Sequence, residues 1–337
     1  MEMKKSVIVV TLAVLFLLPM ASAGWFDFLT GKVTDAATNV TASVTSNTAP
    51  EIRSVLCSNS TGSFLACSNE NATISLSEGT AVSRSYNLTV FDLDGTTDIN
   101  LTQTHLNVSF PSCNGEVRNR GALCANQSAP SASTNSLSFS CDITFYYYDC
   151  ASNATTKWTV NATTQDIFAS ARAENSTQNQ SINTLTSVTI VPSAITFSNL
   201  TVGVANVTSD NNNTINNTGN AAVFTVELNS TNLRGITLTG YYLNANNFTS
   251  ATANSTGQLA NATNLNSVCQ GTQLANYTFV VTGNSTSQYG FVPRVQTNAG
   301  NPNQFITNRY CVNLVPSLPR QNYTTQAEGA WTLKTTF

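Results

Sequence analysis

Hydrophobic residues in this chain alternate with polar ones at a period of two, in short runs set apart by turn signals. Thr214 to Leu228 shows the arrangement compactly. Thr218-Gly219-Asn220 is a turn signal in which Gly219 is free to take positive φ. Phe224, Val226 and Leu228 then alternate with Thr225 and Glu227, the spacing of a half-buried strand. The stretch reads as a hairpin. Upstream, the same alternation holds Tyr86, Leu88 and Val90, then Leu106, Val108 and Phe110. Phe139, Cys141, Ile143, Phe145 and Tyr147 form the clearest run. Trp158 and Val160 start another, and Leu185 to Val191 closes the set. Asp94-Gly95, Asn114-Gly115 and the loop from Ser128 to Ser136 separate these runs. Downstream, strands are expected at Ile195 to Phe197, Leu200 to Val207, Val223 to Leu228 and Ile236 to Leu243. Others are expected at Tyr277 to Val281, Tyr310 to Val315 and Trp331 to Lys334. Short strands without a clear helix-period stretch predict an all-β fold of antiparallel β-sandwiches.

The first residues follow another pattern. Lys4 and Lys5, the apolar run from Val7 to Leu18, and Ala21-Ser22-Ala23 make residues 1–23 a secretory signal peptide. The run is too short to span a bilayer. A pilin-type signal, cut before the apolar run, usually wants Gly or Ala after the lysines, where Ser6 stands. Cleavage after Ala23 leaves about 314 residues, a length that favours two domains. The expected division is an N-terminal extension at 24–50, a first β-sandwich at 51–192 and a second at 193–337. The extension opens with Trp25, Phe26 and Phe28, and Val40, Ala42 and Val44 alternate later. It reads as a flexible leader, or as a strand that adds to the sheet edge of a neighbouring subunit. No second apolar run has membrane length, so no span is expected in the mature chain.

Charge changes the picture. Only 9% of the 337 residues are charged, and the net charge is −3. Typical proteins carry about a quarter, and so weak a field argues against nucleic acid as a partner. Solubility then falls to Asn, Ser, Thr and the sugars they bear. Asn-x-Ser/Thr acceptors begin at Asn39, Asn59, Asn71, Asn87, Asn100, Asn107, Asn126, Asn153, Asn161, Asn175 and Asn179. They continue at Asn199, Asn206, Asn212, Asn216, Asn229, Asn247, Asn254, Asn261, Asn276, Asn284 and Asn322. That is 22 of 42 asparagines, where chance placement in this composition gives roughly 11. Nineteen of the 22 use Thr. The excess and the bias together predict dense N-glycosylation.

The eight cysteines, Cys57, Cys67, Cys113, Cys124, Cys141, Cys150, Cys269 and Cys311, follow the signal, and an even count there implies disulfides. Cys57 and Cys67 flank a polar loop and should close a hairpin. Cys269 and Cys311 are the only pair in the second domain. Cys141 and Cys150 should not pair: nine residues at ~3.3 Å would hold them about 30 Å apart, and a disulfide needs Cα atoms within ~7 Å. That leaves crossed pairings with Cys113 and Cys124, in an order the sequence leaves open. There is no Cys-x-x-Cys and only one His, so zinc is not expected.

Candidate chemistry is thin. Asp92, Asp94 and Asp98 cluster around Asp94-Gly95 and form a weak calcium candidate, against which stands an ordinary Asp-Gly hairpin turn. His105 falls on the polar parity of its strand, and no Gly-x-Ser-x-Gly elbow accompanies it. Tyr146, Tyr147 and Tyr148 with Trp158 offer an aromatic platform for sugar, with Tyr147 inward and Tyr146 and Tyr148 outward. The longest stretch of the mature chain without an acceptor, Ser287 to Gln321, marks a candidate contact region through Phe291, Val292, Pro293, Phe305 and Tyr310.

Several short motifs resemble secreted surface proteins of small-genome archaea. The opening Gly24-Trp25-Phe26-x-x-Leu29-x-Gly31 is one. Ile195-Thr196-Phe197-x-x-Leu200-Thr201-Val202-Gly203, Asn217-Thr218-Gly219-Asn220 and Leu314-Val315-Pro316-Ser317, with Tyr323 and Trp331, resemble their immunoglobulin-like modules. Val90 to Asp94, Tyr146 to Asp149 and Trp158 to Asn161 resemble the preceding module. The resemblance implies two immunoglobulin-like sandwiches at a cell surface and no chemistry. The expected role is structural, a subunit of an envelope layer or filament held by self-association or by other surface proteins, without cofactor or catalysis. An adhesin or carbohydrate-binding module is the alternative, and a secreted hydrolase stands behind both.

Overall fold

The computed structural model describes residues 47–113, 115–168, 172–254, 269–284 and 305–337. The expected signal peptide at 1–23 and almost all of the expected N-terminal extension at 24–50 lie outside them. The described chain is all-β, with three single-turn 3-10 segments and no α-helix. No described helix is long and apolar enough to cross a membrane.

The first half carries β1 (Glu51–Ser58), β2 (Phe64–Ala66), β3 (Ala81–Phe91), β4 (His105–Cys113), β5 (Glu116–Leu123), β6 (Ala125–Asn126), β7 (Ser136–Tyr146), β8 (Trp158–Gln165) and β9 (Arg172–Gln180). They pair antiparallel in two sheets, β2-β1-β3-β7-β6 and β5-β4-β8-β9. Alternation decides what lies between the sheets. Tyr86, Leu88, Val90, Phe139, Cys141 and Phe145 face inward from one sheet, and Leu106, Val108, Phe110, Trp158 and Val160 from the other. Full burial of each such side chain contributes roughly 1.5–3 kcal/mol. Trp158 lies at the centre, 5.3 Å from Phe110 and 5.7 Å from Phe145 between ring centroids. Its indole N–H donates to Cys150 O at 2.9 Å, which satisfies the one polar group it buries.

The second half carries β10 (Val188–Val191), β11 (Ala205–Thr208), β12 (Asn213–Asn217), β13 (Thr225–Ser230), β14 (Leu233–Gly235), β15 (Tyr242–Leu243), β16 (Phe248–Asn254), β17 (Thr272–Gln273), β18 (Thr278–Asn284), β19 (Phe305–Leu314), β20 (Tyr323–Thr324) and β21 (Thr332–Thr336). One sheet runs β10-β12-β19-β16-β17 with β11 also on β19; smaller ones run β18-β13-β21 and β15-β14-β20. Leu228, Phe248, Tyr310 and Val312 pack with Trp331, whose indole N–H donates to Thr231 O at 2.8 Å.

Four disulfides lock these layers. Cys57–Cys67 closes the β1–β2 hairpin, with Cα atoms 4.8 Å apart. Cys113 pairs with Cys150 and Cys124 with Cys141, so Cys141 and Cys150 do not pair with each other and the second bond is nested inside the first, with Cα atoms 5.6 and 4.4 Å apart. Cys269 pairs with Cys311 at 5.2 Å. Four disulfides fit an oxidising compartment.

Several expected strands differ. Val188–Val191 does not close the first set; it pairs with β12. Ile195, Phe197 and Leu200 pack on the second core as irregular backbone, and Ile236 to Leu243 is strand only at β15. Asp94-Gly95 is no hairpin, because β3 and β4 lie in different sheets and this segment crosses between them. At Asn114-Gly115, β4 and β5 do pair as a hairpin, with Cys113 opposite Glu116; Asn114 itself lies outside the described residues. Thr214 to Leu228 is likewise a crossing, from β12 in the large sheet to β13 in a small one. Gly219 is not at positive φ. It is glycine for closeness: a Cβ there would stand 2.1 Å from Leu185 O.

Candidate functional site

The feature repeated over this surface is the glycan acceptor. Asn71, Asn107, Asn126, Asn153, Asn179, Asn199, Asn206, Asn276 and Asn322 are exposed. Asn59, Asn87, Asn100, Asn161, Asn175, Asn212, Asn216, Asn229, Asn247 and Asn284 are half-buried. Asn39, Asn261 and the side chain of Asn254 lie outside the described residues. No described acceptor asparagine is buried. Among the described residues four asparagines are buried, Asn213, Asn217, Asn220 and Asn308, and none of them begins an acceptor triplet.

Two local geometries present these residues. In loops, Asn59, Asn100 and Asn153 form the same turn. Each Oδ1 accepts from the backbone N–H of the Thr two residues on, at 3.0, 3.1 and 2.9 Å. The same Thr hydroxyl lies 2.8, 2.7 and 3.0 Å from that oxygen. This is an Asx turn, and β-branched Thr is stiff enough at χ1 to hold its half of it. In strands, register sets the spacing. Asn107 of β4 and Asn161 of β8 are direct cross-strand partners, and Asn179 of β9 pairs with Thr159 next to them. Three acceptors therefore share the outer face of one four-stranded sheet. The amide nitrogens of Asn126 and Asn175 donate to Ser128 O at 3.0 Å and Ile52 O at 3.5 Å, bonds that a glycan there would replace.

The remaining candidates separate in space. Asp92 is fully buried, Asp94 is exposed and Asp98 is half-buried. Asp166, which the sequence did not single out, joins their electrostatic neighbourhood. Burial, and then the repulsion of Asp98, Asp94 and Asp166, push the Asp92 carboxyl above the usual range despite a hydrogen bond from Asp94 N–H. Asp94 Oδ2 accepts from Thr48 N–H at 2.5 Å, and Asn47 Nδ2 donates to Asp166 at 2.8 Å. Among the described residues, no three His, Cys, Asp or Glu are placed to hold a metal ion. His105 is exposed, on the face its parity gives it.

The tyrosines are not arranged as expected. Tyr146 is exposed, but Tyr148 is buried and Tyr147 half-buried. The strand ends at Tyr146, and the turn that follows breaks the alternation. Tyr148 stacks under Tyr146 at 5.2 Å, and Arg120 lies 4.8 and 5.8 Å from the two ring centroids. Arg120 is held there by a bidentate pair with buried Asp149, at 2.5 and 3.0 Å. Only Tyr146 remains as an outward ring. Phe291, Val292 and Pro293 of the contact region lie outside the described residues. Tyr310 is buried and donates its hydroxyl proton to Asn213, so it touches no partner; burial pushes its own pKa up to about 12. Phe305 is exposed, yet its cross-strand partner is the acceptor Asn216. A stretch free of acceptors along the chain is therefore not a face free of them.

A recess of about 220 Å³ opens beside Cys269–Cys311, with Thr208, Ser250, Gln270, Arg309 and Tyr310 in its wall and no carboxylate. No known protein family and no curated protein matches this chain.

Proposed function

We propose that this chain is a secreted, densely N-glycosylated structural protein of a cell surface. It works as a subunit of an envelope layer or an extracellular filament, with both halves immunoglobulin-like and the N-terminal extension adding as a strand to a neighbouring copy. The partition of asparagines carries the reading. Every described acceptor asparagine is exposed or half-buried, and none of the four buried asparagines among the described residues is itself an acceptor. A composition that produced triplets by accident would bury some of them. Disulfides through both halves and a low-charge polar surface suit a protein that works outside the cell. Glycopeptide mass spectrometry of the native protein tests the first half of the proposal, with most described acceptors expected to be modified. Electron microscopy of the native protein tests the second. Ordered filaments or a lattice are expected, and monodisperse particles at every concentration overturn the assembly role.

A further inference from the structure

Among the described residues Phe64, Phe168, Phe279 and Phe305 are exposed, between 38 and 67%. Two of them lie in paired strand positions away from hairpin ends. Phe279 of β18 has Asn229 of β13 as its cross-strand partner, and Phe305 of β19 has Asn216 of β12. Both asparagines are glycan acceptors. Acceptors are 22 of 337 residues, so a partner drawn at random is one about one time in fifteen.

Cross-strand partners emerge on the same face with Cβ atoms about 4.5–5.5 Å apart. Around Asn229 that face is well defined. Val281, 40% exposed, continues it along β18. Lys334 pairs with Glu227 at 3.0 Å and stands 5.6 Å from the Phe279 ring centroid. Oδ1 of Asn229 is shielded and has no hydrogen-bond partner, so the carbonyl end is the end turned in. A sugar joined through Nδ2 starts within a few ångströms of the ring, about one cross-strand spacing. One face of a pyranose is all C–H and stacks on an aromatic face while its hydroxyls stay in water. Uncovered, the ring and Val281 form an apolar patch that would invite association.

We infer that the N-linked glycans on Asn229 and Asn216 fold back over Phe279 and Phe305, so that each of these sheet faces is covered by the chain's own sugar. The occupant is the first pyranose of each glycan. This inference rests on the acceptors being glycosylated, and the test separates the two claims.

The full-length secreted protein is made in an N-glycosylating host, and occupancy of Asn229 is read by glycopeptide mass spectrometry. Thermal unfolding is compared for wild type, Asn229→Gln, Phe279→Thr and the double variant. Stacking predicts that Asn229→Gln lowers Tm by about 2–4 °C when Phe279 is present and by under about half that in the Phe279→Thr background. Phe279→Tyr should keep the full effect. Equal shifts in both backgrounds, with Asn229 occupied, overturn the stacking and leave the glycosylation reading intact. An unmodified Asn229 overturns both at this site. Wild-type dimers abolished by Phe279→Thr would give the face to a second copy and also overturn the inference. Should Phe279→Thr not be secreted, contacts between Phe279 ring protons and sugar protons in the wild-type NMR spectrum decide: present supports, absent overturns.

Discussion

Asp92 shows how much one residue's role depends on what surrounds it. In the sequence it is one of three aspartates near a glycine. In the fold it is fully buried, one oxygen accepts from Asp94 N–H at 3.0 Å, and the other has no hydrogen-bond partner. Its pKa is raised, first by burial and then by neighbouring carboxylates. The sign follows from linkage. Between the ordinary carboxylate pKa and the raised one, the native state holds more protons than the unfolded state, so stability falls as pH rises through that window. Asp92→Asn keeps the acceptor for Asp94 and removes the charge. Urea unfolding should find the variant more stable than wild type at pH 7, with the difference shrinking as pH falls to 4. A difference constant over that range would mean that Asp92 is not the titrating group. Gly219 carries the same lesson. A glycine inside a turn signal reads as a positive-φ residue, but the contact that requires it, Leu185 O, lies 34 positions earlier. No local pattern could show that.

At the scale of elements, strands built on large apolar residues were legible and strands built on polar ones were not. β3, β4 and β7 put Leu, Val, Phe and Ile inward, and their alternation is plain in the sequence. β12, Asn-Thr-Ile-Asn-Asn, and β16, Phe-Thr-Ser-Ala-Thr-Ala-Asn, escape the same reading although both are central to the large sheet. Around Ile215 and Phe248, most of their buried positions are polar, and those of β16 bond to side chains of β18 and β19. Asn308 Oδ1 lies 3.1 Å from Ser250 Oγ and 3.0 Å from Thr252 Oγ1, and Thr252 meets Thr282 at 3.0 Å. A hydrophobic period cannot reveal a core layer made of hydroxyls and amides. The acceptors divide along similar lines. Thr163, Thr218, Thr231 and Thr249 complete the triplets of Asn161, Asn216, Asn229 and Asn247, and all four are buried. Thr231 donates to Gly329 O, and Thr249 to Asn313 Oδ1 at 3.1 Å. An enzyme that must engage that hydroxyl cannot reach it in the fold, so the proposed glycosylation of these sites requires that they be modified before the strands close. The loop triplets of Asn59, Asn100 and Asn153 end in exposed threonines. Offered as folded, unglycosylated protein to an oligosaccharyl transferase, the loop sites should react and the buried-Thr sites should lag about 100-fold, the factor for a local opening of about 3 kcal/mol. Unfolding and reducing the substrate should erase the difference, which glycopeptide mass spectrometry would show; folded Asn229 reacting as fast as Asn59 would contradict the order.

For the whole molecule, the decisive contacts lie where the two halves of the chain meet, around the turn from Asn217 to Asn220. The sequence marked this turn as a glycan site beside a bend. The structure makes it a joint. Asn220 Nδ2 donates to Asp149 O and Asn183 O, each at 3.0 Å, and Asn220 Oδ1 accepts from Leu185 N–H at 2.7 Å. Asp149 in turn holds Arg120. Thr218 Oγ1 lies 2.9 Å from Glu78 Oε1 and 3.1 Å from Ser187 Oγ, and hydrogen bonds from Ser187 and Thr218 hold Glu78 below the usual carboxylate range. One buried amide thus satisfies three backbone groups, and its bond to Asp149 O is fully buried. Asn220→Ala removes the partner of all three, and a stranded buried polar group costs about 1–3 kcal/mol, fully for Asp149 O and less for the part-buried groups of Asn183 and Leu185. Partial relaxation makes about 3 kcal/mol the expected total. Because the loss falls at the joint while each half keeps its own core and disulfides, the variant should not simply melt earlier. Calorimetry should show one cooperative transition for wild type and two for Asn220→Ala, the halves no longer unfolding together. Two transitions already in the wild type would mean that this amide does not couple them. A subunit that carries load along a layer or filament needs such a joint to be stiff, so Asn220→Ala should also weaken any ordered assembly of the native protein while leaving its glycan occupancy unchanged.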